Sequence, residues 1–316
     1  MNGVLFIVGA SRSGSTLLER LLNELPGVTS VGELQRVWRR GFVENQLCSC
    51  GQPFHDCPFW GEVRQRLQAD GTVTDAGAVD ALSRRTFKTG LQPLPSDAAI
   101  LAHWSRLFGA IAEACGARWL VDSSKNPVYA ARLAQLPGFQ THYLHLIRDA
   151  RAVAYSKMRR RLRPEIHWTE AYMATRSAMS SAGSWNRTHR LAEAARKAVG
   201  RPWHRLRYED LAADPRAALA PLVSAMQVPA TDTDPLAFLG EGVARVGVGH
   251  SVSGNPMRFG HGELRVAPDV EWHHAMPWRS RFEVSLRSYV GLRRYGCVFH
   301  AHSATHSTRI RPLIPR

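Results

Sequence analysis

Acidic residues are scarce in this sequence. Twenty-six Asp and Glu stand against 41 Lys and Arg, a formal charge of +15 with the 14 histidines neutral. Such an excess suits a polyanionic ligand, an acidic partner, nucleic acid or a membrane surface. Long apolar runs are also missing. The first, Val4 to Val8, is too short to cross a bilayer and lacks the basic flank of a signal peptide. A cytoplasmic enzyme with no membrane span is the expectation. The five cysteines, an odd number, do not make a dense disulfide framework. No internal repeat or low-complexity block is present. What is there is an ordinary globular composition, 44% hydrophobic in 316 residues, enough for one large α/β domain or two smaller ones.

The stretch that organises the chain is Val4 to Leu22, VLFIVGASRSGSTLLERLL. Its apolar, β-branched start reads as a strand buried on both faces. Gly9, Ser11, Ser13 and Gly14 break that pattern, and Ser15 opens a helical stripe through Leu17, Leu18, Leu21 and Leu22. Strand, Gly/Ser-rich turn and helix aim backbone N–H groups and the positive end of a helix dipole at one point, where a phosphate or sulfate belongs. Arg12 adds a planar cationic fork, and Ser13, Ser15 and Thr16 add hydroxyls. The loop departs from the Walker A pattern. Gly9 and Gly14 have the right separation, but Ser15 stands where that pattern needs Lys.

Further strands are expected at Val28–Val31, Trp119–Val121, His142–Ile147 and Trp203–Leu206, with helical patterns between them. This alternation implies an α/β fold, a three-layer arrangement with a central parallel sheet flanked by helices. Helices are expected over much of 61–118, at Val128–Leu136, Ala150–Arg161, 168–199 and Pro215–Met226, and over Asp269–Tyr295. Residues 1–300 read as a single domain with a helical, cysteine-containing insertion at about 34–115, and 301–316 as a flexible basic tail.

Candidate site residues gather at the expected strand ends. Glu33 follows the second strand and is a candidate general base, with a first-turn helix carboxylate as the alternative. Lys125 follows the third, in DSSKNP, placed to contact a leaving phosphate oxygen. Arg148 ends the fourth, Ser156 lies on the helix after it, and Arg160 is one turn further; Arg148 and Ser156 can both reach a phosphate. Lys157, Arg159, Arg160, Arg161 and Arg163 form the most basic run, whose outer members read equally as a solvated face or nucleic-acid patch. Gly240 to Gly262, containing HSVSGNPMRFG, reads as a mobile lid that closes with Arg258. In CSCGQPFHDCPFW, Cys48, Cys50, His55 and Cys57 are four metal-ligand types within ten residues, but the first pair is C-x-C. Zinc, one disulfide or free thiols all fit that pattern.

Four of these segments resemble one family. GASRSGSTLL is similar to the 5′-phosphosulfate loop of sulfotransferases that use 3′-phosphoadenosine-5′-phosphosulfate (PAPS), and LIRDARAVAYS to their 3′-phosphate motif. RYEDLAADP resembles the segment with an adenine-contacting Tyr, here Tyr208, and HSVSGNPMRFG the C-terminal lid of bacterial members. The resemblance implies that Arg12, Ser13, Gly14, Ser15 and Thr16 hold the 5′-phosphosulfate, and that Arg148, Ser156 and Arg160 hold the 3′-phosphate. It looks closer to the tyrosyl-protein and Golgi-type branch, which has a Glu base and a leaving-group Lys matching Glu33 and Lys125, than to the cytosolic aryl enzymes. His250 is the second candidate for the base. The reaction so implied is in-line attack by a hydroxyl on sulfur, with no metal required. The acceptor expected is a small molecule or glycan. Two other readings are a P-loop small-molecule kinase and a basic nucleic-acid binder; the missing Walker Lys and the lack of any binding module count against them.

Overall fold

The structure, a computed structural model, describes residues 2–69, 75–229 and 234–297. The expected tail at 301–316 lies outside them, as do residues 70–74 of the stretch 61–118 expected to be largely helical. Among the described residues no helix is long and apolar enough to cross a membrane.

Strand β1 (Asn2–Gly9) is the middle of a five-stranded parallel sheet with β2 (Val28–Gly32), β3 (Trp119–Lys125), β4 (Phe139–Ile147) and β5 (Trp203–Arg207), in the order β2-β3-β1-β4-β5. The unbroken apolar run of β1 is explained by its place. Val4, Phe6 and Val8 point into one core and Leu5 and Ile7 into the other, so both faces of the strand are buried.

Helices cover both faces. The Leu5/Ile7 side carries α1 (Ser15–Leu22), whose leucines Leu17, Leu18, Leu21 and Leu22 are all buried. The Phe6 side carries the segment between β2 and β3, which runs through a 3-10 turn (Leu34–Arg36) and a π-helical turn (Trp38–Val43). It continues as α2 (Pro58–Gln68), α3 (Ala76–Thr86) and α4 (Asp97–Cys115), burying Trp38, Trp60, Trp104 and Phe108. After β3 comes α5 (Pro127–Arg132). Asn126 accepts from the N–H groups of Val128 and Tyr129, and Pro127 fills the first helical position, where no N–H is needed.

Several helices are shorter than the sequence pattern suggests. Helix α5 stops at Arg132 rather than Leu136. Helix α6 (Ala150–Met158) stops short of Arg161, and Arg159 is already extended. Helix α7 (Ala178–Val199) begins ten residues after Trp168, at the Ser177 cap, whose hydroxyl accepts from Ser180 N–H. Residues 159–176 form an irregular hairpin instead, with Arg163 N–H on Ala171 O and Met173 N–H on Arg161 O. Trp168, expected to open a helix over 168–199, is 53% exposed.

Beyond β5 lie α8 (Tyr208–Ala213), α9 (Pro215–Ala225), β6 (Val243–Val246), β7 (Gly262–Arg265), α10 (Trp272–Ala275), α11 (Trp278–Arg287) and α12 (Tyr289–Arg294). The expected helical pattern over Asp269–Tyr295 is thus broken into three, at Pro277 and Ser288. The expected lid is partly structured too, since β6 and β7 pair antiparallel at its two ends.

Candidate functional site

The carboxyl ends of β1 to β4 open into one cleft of about 660 Å³, the place where open parallel sheets bind ligands. Its floor is the turn between β1 and α1. Glycine is required there twice: a Cβ on Gly9 would lie 2.2 Å from Leu146 O, and one on Gly14, at φ 87°, would lie 2.3 Å from the Tyr208 ring. Tyr208 can therefore lie against the loop only because Gly14 has no side chain. Arg12 has φ 71°, and Lys125 φ 66°. Strained left-handed backbone at two cleft cations is the kind of distortion that functional sites store.

Glu33, at the end of β2, meets Lys125 from β3. Lys125 Nζ donates to Glu33 Oε1 at 2.6 Å and to Ser123 O at 2.7 Å. Ser253 Oγ donates to Glu33 Oε2 at 3.1 Å, and Arg40, from the π-helical turn, donates to Ser253 Oγ. Burial alone would raise the Glu33 carboxyl, but Lys125 and Arg40 outweigh it and hold the group down at about 2. It is ionised at neutral pH.

The opposite wall joins segments distant in sequence. Arg12 Nε donates to Ser156 Oγ at 3.0 Å across 144 residues. Arg148 donates to Arg12 O at 3.0 Å and to Asp269 Oδ2 at 2.6 Å, and its guanidinium lies 4.4 Å from the centroid of the Tyr208 ring. The charges are crowded. Burial, then repulsion from Arg161 and Arg148, brings the Arg12 guanidinium down to about 10; burial, then Arg176 and Arg12, brings Lys157 down to about 8. Nine Lys and Arg line the cleft against Glu33, Glu165 and Asp269. Such a cavity lowers its own electrostatic energy by taking up an anion.

Residues 5–232 match the model of a family described as the sulfotransferase family. The chain belongs to it. The sulfotransferase domain from the curacin biosynthetic pathway is similar over 92% of this chain and 97% of its own, with 18% identity and a TM-score of 0.50, and shares the fold. The sulfotransferase domain of the Synechococcus PCC 7002 olefin synthase covers 91% of this chain and 95% of its own, at 20% identity and a TM-score of 0.45. No curated protein matches.

In this sulfotransferase, Arg12, Gly14, Ser15, Thr16, Glu33, Lys125, Arg148, Ser156 and Tyr208 all line the cleft. Other candidates stand elsewhere. Ser13 is buried behind the loop with its hydroxyl unpartnered. Arg160 was expected one helical turn beyond Ser156, but α6 has ended there. In extended chain alternate residues face alternate ways, so Arg159, Arg161 and Arg163 line the cleft while Arg160 stacks 3.5 Å from the centroid of the Tyr172 ring. Arg258 is buried and donates to Ser251 O at 2.7 Å and Leu47 O at 2.9 Å, bracing the lid rather than facing the cleft. His250 lies outside the cleft, its Nδ1 3.3 Å from Cys57 Sγ. His55 is turned away from the cysteines, with Nε2 3.0 Å from Phe42 O. Arg40 and Arg176 are cleft cations that the sequence pattern did not single out, because an Arg in a helical turn or loop, away from an expected strand end, carries no spacing signal.

Proposed function

We propose that this sulfotransferase moves the sulfuryl group of PAPS to a hydroxyl of a small-molecule or glycan acceptor, with Glu33 as the base. The observation that carries this reading is the Glu33–Lys125 pair at the rim of a phosphate-type loop, opposite the Arg12–Ser156 and Arg148–Tyr208 contacts. The residues fit such a donor. Arg148 Nε and Arg161 Nε are buried without a hydrogen-bond partner, donors that an anion would satisfy. The loop N–H groups, Ser15 and Thr16 would hold the 5′-phosphosulfate, Arg148 and Ser156 the 3′-phosphate, and Tyr208 the adenine. Bound PAPS supplies an activated sulfuryl group.

The residues of the chain supply the proton chemistry and the charge. Glu33 is ionised and so able to accept the acceptor's hydroxyl proton, but while paired with Lys125 it is a weak base. With the donor bound, Lys125 would be placed to exchange Glu33 for the leaving group and stabilise the charge that develops there. The same exchange would remove the charge that depresses Glu33 and make the carboxylate a stronger base at the moment it is needed. Arg12, fixed by Ser156, adds charge on the other side. A Glu base with a Lys partner supports placement near the tyrosyl-protein and Golgi-type branch. The inward-facing basic run favours a small anion in a cavity over nucleic acid on a surface.

The test is Glu33→Gln, which keeps the shape and the Ser253 contact and removes the base. We expect kcat to fall by about 10²–10⁴-fold while adenosine 3′,5′-bisphosphate binds as in the wild type, by calorimetry. Unchanged kcat would remove Glu33 from the base role.

A further inference from the structure

Three cysteines and a histidine meet outside the cleft. Cys48, Cys50 and Cys57 come from the segment between β2 and β3, and His250 from the segment after β6, 193 residues beyond Cys57. Their ligand atoms all lie within 4.8 Å of one another. Cys57 Sγ is 3.6 Å from both Cys48 Sγ and Cys50 Sγ, and His250 Nδ1 is 3.3 Å from Cys57 Sγ and 3.7 Å from Cys48 Sγ. Four ligands placed tetrahedrally at ordinary zinc–sulfur and zinc–nitrogen lengths have sulfurs about 3.8 Å apart and sulfur and nitrogen about 3.6 Å apart. All five cysteines are free, and sulfurs spaced this way suit a shared ion rather than a bonded pair.

The surroundings hold the four ligands in place. Leu47 and Pro53 bridge across a tight turn, with Cys48 N–H on Gln52 O at 2.8 Å, and Cys57 N–H on Pro53 O at 3.0 Å. Ser49 Oγ donates to Gly249 O at 2.7 Å and accepts from Ser251 N–H at 2.8 Å, one residue to each side of His250. Trp60 donates to His250 O at 3.0 Å, and Phe59 stacks on the imidazole with centroids 5.0 Å apart. Arg258, gripping the carbonyls beside Cys48 and His250, puts a buried positive charge next to the cluster. Three thiolates and a neutral imidazole on a divalent ion leave one negative charge for it to balance.

We propose that Cys48, Cys50, Cys57 and His250 bind one structural Zn²⁺. Four protein ligands leave no open position, so the ion is not a Lewis acid for the transfer. On binding, the three thiols release their protons to solvent and each sulfur forms a bond to the metal. The ion clamps the lid to the rim of the sheet. Val252 pairs with Gly32 and accepts Glu33 N–H at 2.8 Å, and Ser253 holds the Glu33 carboxylate. His250 is two residues from that grip, so the zinc would act as a positioning element for Glu33.

The experiment measures zinc in the purified full chain. The metal is then removed with a chelator under reducing conditions and the chain titrated with zinc chloride alone. The expected result is one zinc per chain and stoichiometric uptake, with Cys50→Ser and His250→Ala at least about tenfold weaker, the scale that even an outer-shell change costs. His55→Ala should bind as the wild type does. Cobalt in place of zinc should give the thiolate charge-transfer and intense visible bands of a tetrahedral site. A reduced, folded wild-type chain that takes up no zinc would overturn the proposal. So would a disulfide among Cys48, Cys50 and Cys57 in the chain as isolated, or undiminished affinity in His250→Ala.

Discussion

Two carboxylates, Glu33 on the cleft wall and Glu19 buried behind it, are pushed in opposite directions. Glu33 is held at about 2 because Lys125 and Arg40 outweigh its burial. Glu19, on α1 behind the loop, is raised to about 7 because burial outweighs the Ser123 hydroxyl that donates to it and the charge of Lys125. For Glu19 the sign is that of a raised group. The contribution to stability is fully present below its ordinary value of 4.5 and is lost as pH rises through 7. Glu19→Gln has no such dependence. Its stability relative to the wild type should therefore improve by about 3 kcal/mol between pH 4 and pH 8, read from denaturant unfolding at the two values. A difference that does not change with pH would mean that Glu19 keeps an ordinary value in the fold.

The loop between β1 and α1 and the segment opening α8 act as one element although some 190 residues separate them. Tyr208 lies against Gly14 and under Arg148, so the loop, the Arg148 segment and the Tyr208 segment fix one another before any ligand arrives. Gly14→Ala tests this. The new methyl would enter the ring of Tyr208 at a φ that L-residues adopt only with strain, at a cost of about 1–2 kcal/mol for the backbone alone. The expected outcome is a lower Tm together with a loss of adenosine 3′,5′-bisphosphate affinity larger than the stability change. A variant that binds normally would show that Tyr208 and the loop are not coupled. The helices were less legible than the strands. Periodicity located the five strands of the parallel sheet to within a few residues, though not the short β6 and β7, but it overran at α5, α6 and α7, where polar caps and extended turns decide the ends. The Arg160 expectation failed for that reason.

At the scale of the molecule, strand alternation was enough to read a parallel sheet, and the cleft lies at the carboxyl edge where the first βα turn was expected to hold an anion. Spacing placed Glu33, Lys125, Arg148 and Ser156 at strand ends or on the next helix, and in a parallel sheet those positions converge. Strand order was not legible, nor was the meeting of His250 with Cys48, Cys50 and Cys57. The histidine that sequence grouping assigns to the cysteines is His55, a near neighbour in the chain, whereas the fold brings His250 from nearly two hundred residues away. The central claim concerns the donor, and one measurement addresses it directly: thermal melting with adenosine 3′,5′-bisphosphate and with ATP, for the wild type and Arg148→Ala. At 100 times its dissociation constant a ligand of the native state adds about 2.7 kcal/mol, a shift of a few degrees. The account requires that shift in the wild type with the bisphosphate, a much smaller one with ATP, and its loss in Arg148→Ala relative to the unliganded variant. Equal protection by ATP, or no protection by either nucleotide, would contradict it.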